Sequence, residues 1–193
     1  MDTIENLIPL LKHRKIDKRI EAFQLLIQLS YDNTISEDIT YILIDNGLGS
    51  ENPTIRGLSF GCFASIYMKR GHTSYYWSDV KNAITAELSS AEDPYALASA
   101  LHIISLLNDV DLAFFLVSKD INSAIKSLIY SEDITLRRSI IGCLSVLLDR
   151  VWSITLSGEF LEQSKHFDSV AQAHRFKDDI RDMVNDYFKI YSK

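Results

Sequence analysis

Apolar residues recur along this chain at the spacing of one helix face, and the same spacing returns in four segments. In each segment the positions are separated by three, one and three residues, which follows the 3.6-residue period of an amphipathic helix. The repetition predicts helices that share one apolar seam with their neighbours. The four aligned columns are Ala22, Ser59, Ala100 and Ile140; Leu25, Cys62, Ile103 and Cys143; Leu26, Phe63, Ile104 and Leu144; and Leu29, Ile66, Leu107 and Leu147.

An internal repeat of about 40 residues underlies these columns. The stretch 51–68 reads ENPTIRGLSFGCFASIYM and returns 81 residues later, at 132–148, as EDITLRRSIIGCLSVLL. An intermediate copy, EDPYALASALHIISLL, begins at Glu92. A repeat of this length predicts one two-helix unit per copy.

Turn residues place the boundaries of four such units. Pro53 and Pro94 suit the first turn of a helix, where the missing N–H costs nothing. Gly49 and Ser50 mark a helix end. The predicted units are 3–30, 36–70, 78–107 and 119–149, followed by a half-polar helical cap over 159–191, in a single domain 1–193.

A turn containing Asp or Pro, followed by a helix with Arg near its start, resembles the HEAT repeat family of α-solenoids. The residues that carry the resemblance, over roughly 3–150, are Asp17 with Arg19, Pro53 with Arg56, Asp93 with Pro94, and Asp133 with Arg137, backed by Ala22, Ala100, Gly61 and Gly142. The resemblance implies an all-α, right-handed α-α superhelix of four helical hairpins. It also implies a concave face lined by the second helices and a ladder of turn Asp and Arg between units. Leu97 stands where the third Arg is expected, so the ladder should be interrupted, or the stack bent, between units three and four.

Composition and charge limit the kinds of partner that the protein is expected to bind. The chain has 47% apolar residues, seven Gly and a formal net charge of −6. An acidic surface repels phosphate backbones, which disfavours nucleic acid and favours a protein partner, including one with a basic surface. The N-terminus lacks secretory-signal features and no apolar run reaches 18 residues, so no membrane segment is expected. Cys62 and Cys143 lie on helix interiors with a whole repeat between them, which predicts reduced thiols and a cytoplasmic location.

The sequence contains no recognisable catalytic motif. The five histidines show no HxxxH or Cys/His ligand spacing, and GxSxG, P-loop and GxGxxG patterns do not occur. His174 and Asp178 are one turn apart, an ordinary pairing on a solvated helix. We therefore predict no catalytic residue, metal or cofactor.

The inward stripe of the second helices is the first candidate for partner binding. Its positions are Asp17, Glu21, Gln24 and Gln28; Thr54, Leu58, Gly61 and Ser65; Tyr95, Ser99, His102 and Leu106; and Thr135, Ser139, Gly142 and Val146, with Arg138 beside them. Small and polar residues between apolar columns suit a groove, and Gln24, Gln28, Tyr95, His102 and Arg138 are its predicted contacts. The alternative is that the small residues only let helices pack closely. With the binding hypothesis we also predict that Leu at Gly142 would overpack the stack and lower thermal stability.

The connection 67–79 is the second candidate. It combines Arg70, His72, Tyr75, Tyr76 and Trp77, and aromatic and basic side chains are typical of protein-binding hot spots. Two alternatives are that the rings fold back as a plug between units two and three, or that they stack on bases.

The favoured hypothesis is a non-catalytic protein-binding module, an adaptor or an inhibitor such as a toxin-neutralising immunity protein, as a monomer or weak dimer. The alternative is a nucleic-acid enzyme that resembles the HEAT-like glycosylases of alkylated bases. That enzyme would need a basic concave wall around an Asp and an aromatic residue, with Trp77 or Tyr95 at the floor of the groove.

Overall fold

Turn side chains set where three helices begin in the computed structural model of this protein. Asn52, Asp93 and Asp133 each precede a helix and accept hydrogen bonds from its first backbone N–H groups, which have no partner within the helix. In each turn the backbone N–H three residues later donates to the side-chain oxygen: Ile55 N to Asn52 Oδ1 at 3.1 Å, Ala96 N to Asp93 Oδ1 at 2.8 Å, and Leu136 N to Asp133 Oδ1 at 3.1 Å.

The structure describes residues 4–32, 35–70, 76–90, 92–106, 122–138 and 140–144, together with residues 178, 179, 181, 182, 184–186 and 189. In order, the helices are a 3₁₀ turn Ile4–Leu7, α1 Ile8–Leu11, α2 Ile16–Asp32, α3 Glu37–Ile42, a π-helical turn Leu43–Leu48, α4 Pro53–Arg70, α5 Trp77–Ser90, α6 Pro94–Leu106 and α7 Asn122–Ile129. Helical backbone is also described at 134–138, at 140–144 and at the positions between 178 and 189. Within these ranges there is no β-strand, and the all-α prediction is confirmed for them.

The sequence repeat is also a repeat of hydrogen bonds. Arg56 Nη1 donates to Ser50 O at 3.1 Å, and Arg137 Nη1, 81 residues later, donates to Ser131 O at 2.7 Å. The hydroxyls of both serines accept a backbone N–H two residues on, at 3.2 Å in each copy. The two copies therefore fold their turns in the same way.

Arginines of the first two units also contact the next unit, but their partners differ from the turn aspartates of the HEAT ladder. Arg19 Nη2 donates to Asn46 O, and Arg56 Nε donates to Glu87 Oε2 at 2.8 Å. Asn46 and Glu87 belong to the first helical segment of the following unit, and Arg19 Nη2 also donates to Ser50 Oγ in the turn of that unit.

Residues Met1–Ile103 form one compact unit. Within it, α1 packs on α2 and α3, α2 packs on α4, and the π-helical turn packs on α4 and α5. The largest fully buried side chains are Leu11, Phe23, Leu26, Ile39, Leu43, Ile55, Phe60, Ile84, Leu88, Leu97 and Leu101.

The aligned columns agree with this burial. In the column of Ala22 and in that of Leu26, all four members are buried. Leu25 is half-buried while its three equivalents are buried, and Leu29 and Ile66 are half-buried. Leu107 and Leu147 fall outside the described residues.

The first helix of the second predicted unit changes from α-helical to π-helical at Leu43, where α3 ends and the π-helical turn begins. Its wider ring appears as the bond from Gly49 N to Ile44 O at 3.0 Å, five residues apart. At Gly47 an added Cβ would lie 2.2 Å from Ser59 Oγ, so this segment approaches α4 at a distance that only glycine permits.

Residues Ile104–Lys193 form a second compact unit. Ile125, Leu128 and Ile129 of α7 are buried, as are Leu136, Ile140, Ile141, Cys143 and Leu144. Near the C-terminus Val184 is buried while the described charged residues are exposed, with ion pairs of Arg181 with Asp178 at 3.0 Å and Lys189 with Asp186 at 3.2 Å. These positions have the half-polar character expected of the predicted cap helix. That it caps the array, and that 1–193 is a single domain, remain predictions.

Candidate partner-binding groove

Three helices, each the second helix of a predicted unit, border a groove of about 390 Å³. Its lining residues come from α2, α4 and α6 and all belong to the first compact unit. They are Ile27, Thr54, Gly57, Leu58, Gly61, Tyr95 and Ser99. We call this surface the second-helix groove.

Two glycines on one face of α4 lie close to its neighbours. A Cβ at Gly57 would lie 3.5 Å from Ala96 Cα, and a Cβ at Gly61 would lie 3.1 Å from Ile27 Cδ1. The missing side chain at Gly61 lets Ile27 lie closer to α4 than a Cβ would comfortably allow, whereas at Gly57 an added Cβ would make ordinary van der Waals contact with α6. The floor of the groove is therefore made largely of backbone and methyl groups.

The walls of the groove are apolar or already hydrogen-bonded. Ser99 Oγ donates to Tyr95 O at 2.9 Å, so the hydroxyl is engaged by its own helix. Leu58 is half-buried, and Tyr95 is 53% exposed, so much of its ring faces solvent. None of the described lining residues is charged. Such a surface suits an apolar side chain rather than a phosphate or a metal ion.

Carboxylates collect beyond one end of the groove. Glu51 and Glu92 are exposed and lie three residues before Thr54 and Tyr95, respectively. Nearby, Arg56 is bound to the buried Glu87. The hydrogen bond with Glu87 raises the pKa of Arg56, and the charges of Glu87, Asp93 and Glu92 add to the effect while partial burial opposes it.

Part of the inward stripe lines the groove. Thr54, Leu58, Gly61, Tyr95 and Ser99 lie there as the stripe places them. Gln24, Gln28 and His102 are exposed but are not among its lining residues, and Ser65 is buried. Exposed Arg138 belongs to the second unit. Asp17 and Glu21 are exposed outside the groove, and Ser139 and Val146 lie outside the described residues.

Sequence reasoning missed Ile27 and Gly57. The signal for Gly57 was its four-residue spacing from Gly61, a small-x-x-x-small pattern that places both on one helix face. Ile27 lies between the stripe and the apolar columns, and the periodic pattern alone did not place it at a surface.

Desolvation by its surroundings lowers the pKa of His102, so its imidazole is neutral at pH 7. His102 follows Ser99 by three residues on α6. A neutral ring one turn beyond the groove could exchange hydrogen bonds with a partner without adding charge.

The 67–79 connection is described only in part: Tyr75, His72 and the side chain of Arg70 lie outside the described residues. Tyr76 is buried, and its ring meets that of Tyr41 edge-on at 4.8 Å between centroids. A hydrogen bond with Tyr41 raises the pKa of Tyr76 to about 12. Trp77 is half-buried, and the centroid of its ring lies 5.9 Å from that of Tyr67. For these two residues the contacts favour the folded-back alternative over partner binding.

A second cavity, of about 300 Å³, lies where α2 meets the turn before α4. It is polar, and it is lined by Arg19 together with the carboxylates of Asp45 and Glu51. Arg19 Nη2 already donates to Asn46 O and to Ser50 Oγ, so the guanidinium holds the turn before α4 in place.

No protein-family model matches the chain, and no curated protein matches it. Among the helices described, none combines the length and apolar character needed to cross a membrane. In the same part of the chain, no three His, Cys, Asp or Glu side chains are grouped so as to hold a metal ion. Cys62 and Cys143 are buried, and neither forms a disulfide with another described residue.

Proposed function

We propose that this protein is a non-catalytic protein-binding module built of HEAT-like helical hairpins, and that a segment of its partner lies in the second-helix groove. The observation that carries the proposal is the groove itself, an uncharged depression shared by three successive second helices. A pocket of this size is at the small end of the range of about 300–1,000 Å³ for ligand sites, which suits one or two side chains of a partner.

The order of helix contacts supports the solenoid arrangement that this proposal needs. First helices meet first helices where α1 packs on α3, and second helices meet second helices where α2 packs on α4. Hairpins that lie side by side in chain order produce this pairing, and they place their second helices along one face.

The chemistry of the groove supports a protein partner over the alternative of a HEAT-like glycosylase of nucleic acid. An enzyme of that kind needs cations for the phosphates, but the described lining residues include no Lys or Arg. The exposed residues three positions before Thr54 and Tyr95 are the acidic Glu51 and Glu92. An adaptor, or an inhibitor such as an immunity protein that covers a basic surface of a toxin, has the required character.

The test is to block the groove and compare partners. Thr54 is exposed at the groove wall, so Thr54→Trp fills the groove without entering the core. Asn82→Trp adds the same ring at an exposed site on α5, a first helix, and is the matched control. Both variants should melt as the wild type does.

Quantitative affinity purification from the native host should then find a protein retained by the wild type and Asn82→Trp and lost with Thr54→Trp. Calorimetry with that purified partner should show at least about a tenfold loss for Thr54→Trp, and a smaller loss for His102→Ala. A set of retained proteins that is identical for all three baits would contradict the proposal.

A further inference from the structure

The charges at the two ends of the helices around the groove are unequal. Four acidic residues and one guanidinium come together at the N-terminal ends of α4 and α6: Arg56 pairs with Glu87, the charges of Glu92 and Asp93 act on it, and its Nη1 donates to the backbone carbonyl of Glu51. The formal excess is three negative charges. The buried pair of Arg56 with Glu87 neutralises itself, which leaves Glu51 and Glu92 as the exposed charges.

Among the helices that line the groove, α2 differs from α4 and α6 because exposed lysines lie at its start. At the start of α2 the exposed residues include Lys15 and Lys18, and Lys18 Nζ is paired with Glu21 at 2.7 Å. A cation over α2 would meet charges of both signs, including the exposed Asp17, whereas a cation beyond Thr54 and Tyr95 would meet the exposed carboxylates of Glu51 and Glu92.

We propose that the second-helix groove selects a basic amphipathic segment, in which one large apolar side chain enters between Leu58 and Tyr95 while a Lys or Arg about one turn away contacts Glu51 and Glu92. This inference rests on the proposed function and specifies its partner. The apolar side chain supplies affinity by leaving water, and the cation fixes the direction in which the segment lies.

A displayed library of random peptides of about 12 residues tests the apolar contact and the cationic contact separately. The full-length wild type is the selecting target, and the groove-blocked Thr54→Trp variant removes peptides that bind elsewhere. Peptides that survive should combine a large apolar residue with Lys or Arg within about four positions, since four residues make one helical turn. Synthetic versions are then measured by fluorescence anisotropy.

The double variant Glu51→Gln/Glu92→Gln should weaken these peptides about threefold to tenfold, as expected for two exposed charge pairs, and should lessen their salt dependence. Glu37→Gln/Asp38→Asn makes the same change of net charge at the exposed start of α3, a first helix, and should leave affinity unchanged.

Groove-dependent peptides with no basic bias, or with equal affinity for wild type and Glu51→Gln/Glu92→Gln, would overturn this inference and leave the proposed function standing. A bias toward acidic peptides would do the same. If selection yields no peptide that distinguishes wild type from Thr54→Trp, both the inference and the proposed function fail.

Discussion

Arg56 and Glu87 form a two-point ion pair that joins α4 of one predicted unit to α5 of the next. Arg56 Nε lies 2.8 Å from Glu87 Oε2, and Nη2 lies 3.4 Å from Oε1. The side chains are 19% and 3% exposed, respectively. Arg56 Nη1 also donates to Ser50 O and Glu51 O at 3.1 Å. One guanidinium therefore fixes a turn and two helices together.

The corresponding positions one repeat later show how the chain replaces this pair. Residues 41 positions beyond Arg56 and Glu87 are Leu97 and Leu128, and both are buried. The interruption predicted at Leu97 thus coincides with an apolar residue at the position equivalent to Glu87. Each buried charge has a partner in one repeat, and both charges are absent in the next.

Arg56→Ala should destabilise the protein by about 3–5 kcal/mol, because it leaves the carboxylate of Glu87 buried without its counter-charge. The double variant Arg56→Leu/Glu87→Leu should recover most of this loss, since well-packed apolar residues often replace a buried ion pair at little cost. Urea denaturation of the full chain measures both changes.

The control is an exposed ion pair. Lys18→Ala removes the ion pair of Lys18 with Glu21, whose side chains are 52% and 63% exposed, and should leave the denaturation midpoint close to that of the wild type. If the Leu double variant is as unstable as Arg56→Ala, then the shape of the pair or its bonds to the turn, rather than the stranded charge, sets the loss.

Substitution of two glycines by alanine should change the stability of the protein in opposite directions. At Gly47 the new Cβ would lie 2.2 Å from Ser59 Oγ and 3.2 Å from Phe23 Cε1, so Gly47→Ala should cost about 1–3 kcal/mol. At Gly142, which is exposed and helical, no described atom lies within 4 Å of the added Cβ. Gly142→Ala should therefore stabilise by up to about 1 kcal/mol.

Denaturation midpoints check both signs. The described residues give no support to the expectation that a larger residue at Gly142 overpacks the stack, because none of their atoms lies within 4 Å of an added Cβ. Destabilisation by Gly142→Ala would show that a neighbour outside the described residues fills that space.

Signals local to the sequence predicted the helix boundaries well. α4 begins at Pro53 and α6 at Pro94, as the preference of proline for the first turn of a helix predicts. Each of these signals acts within a few residues. The internal repeat added the column positions, because a residue buried in one copy is generally buried in the others.

Features that depend on distant residues were not predictable. Glu87 is 31 positions from Arg56, and no local pattern marks it as the partner rather than a turn aspartate. The π-helical turn depends on how closely Gly47 meets Ser59. For the groove, periodicity placed Leu58 and Tyr95 correctly, but it could not show that Ile27 of another helix completes the floor.

Asp93→Ala should cost about 0.5–2 kcal/mol, because Asp93 Oδ1 accepts hydrogen bonds from Tyr95 N at 3.0 Å and Ala96 N at 2.8 Å at the start of α6. Asp93→Asn keeps an acceptor of the same shape and should lose only a small part of this, as measured by thermal melting. Equal losses in the two variants would indicate that the negative charge near Arg56, rather than the cap, is what stabilises this turn.

Alkaline pH should destabilise the protein through Cys62. Burial raises the pKa of its thiol, so the folded state keeps the proton above the unfolded value of about 8.5 while the unfolded state releases it. Stability is therefore unaffected by this thiol below pH 8.5 and falls above it, by about 2 kcal/mol between pH 7 and 10. Because other groups titrate in this range, the measurement is the difference in unfolding free energy between wild type and Cys62→Ala at each pH. The loss of packing in Cys62→Ala is independent of pH, so the curves should converge as pH rises, and parallel curves would show that the thiol ionises alike in both states.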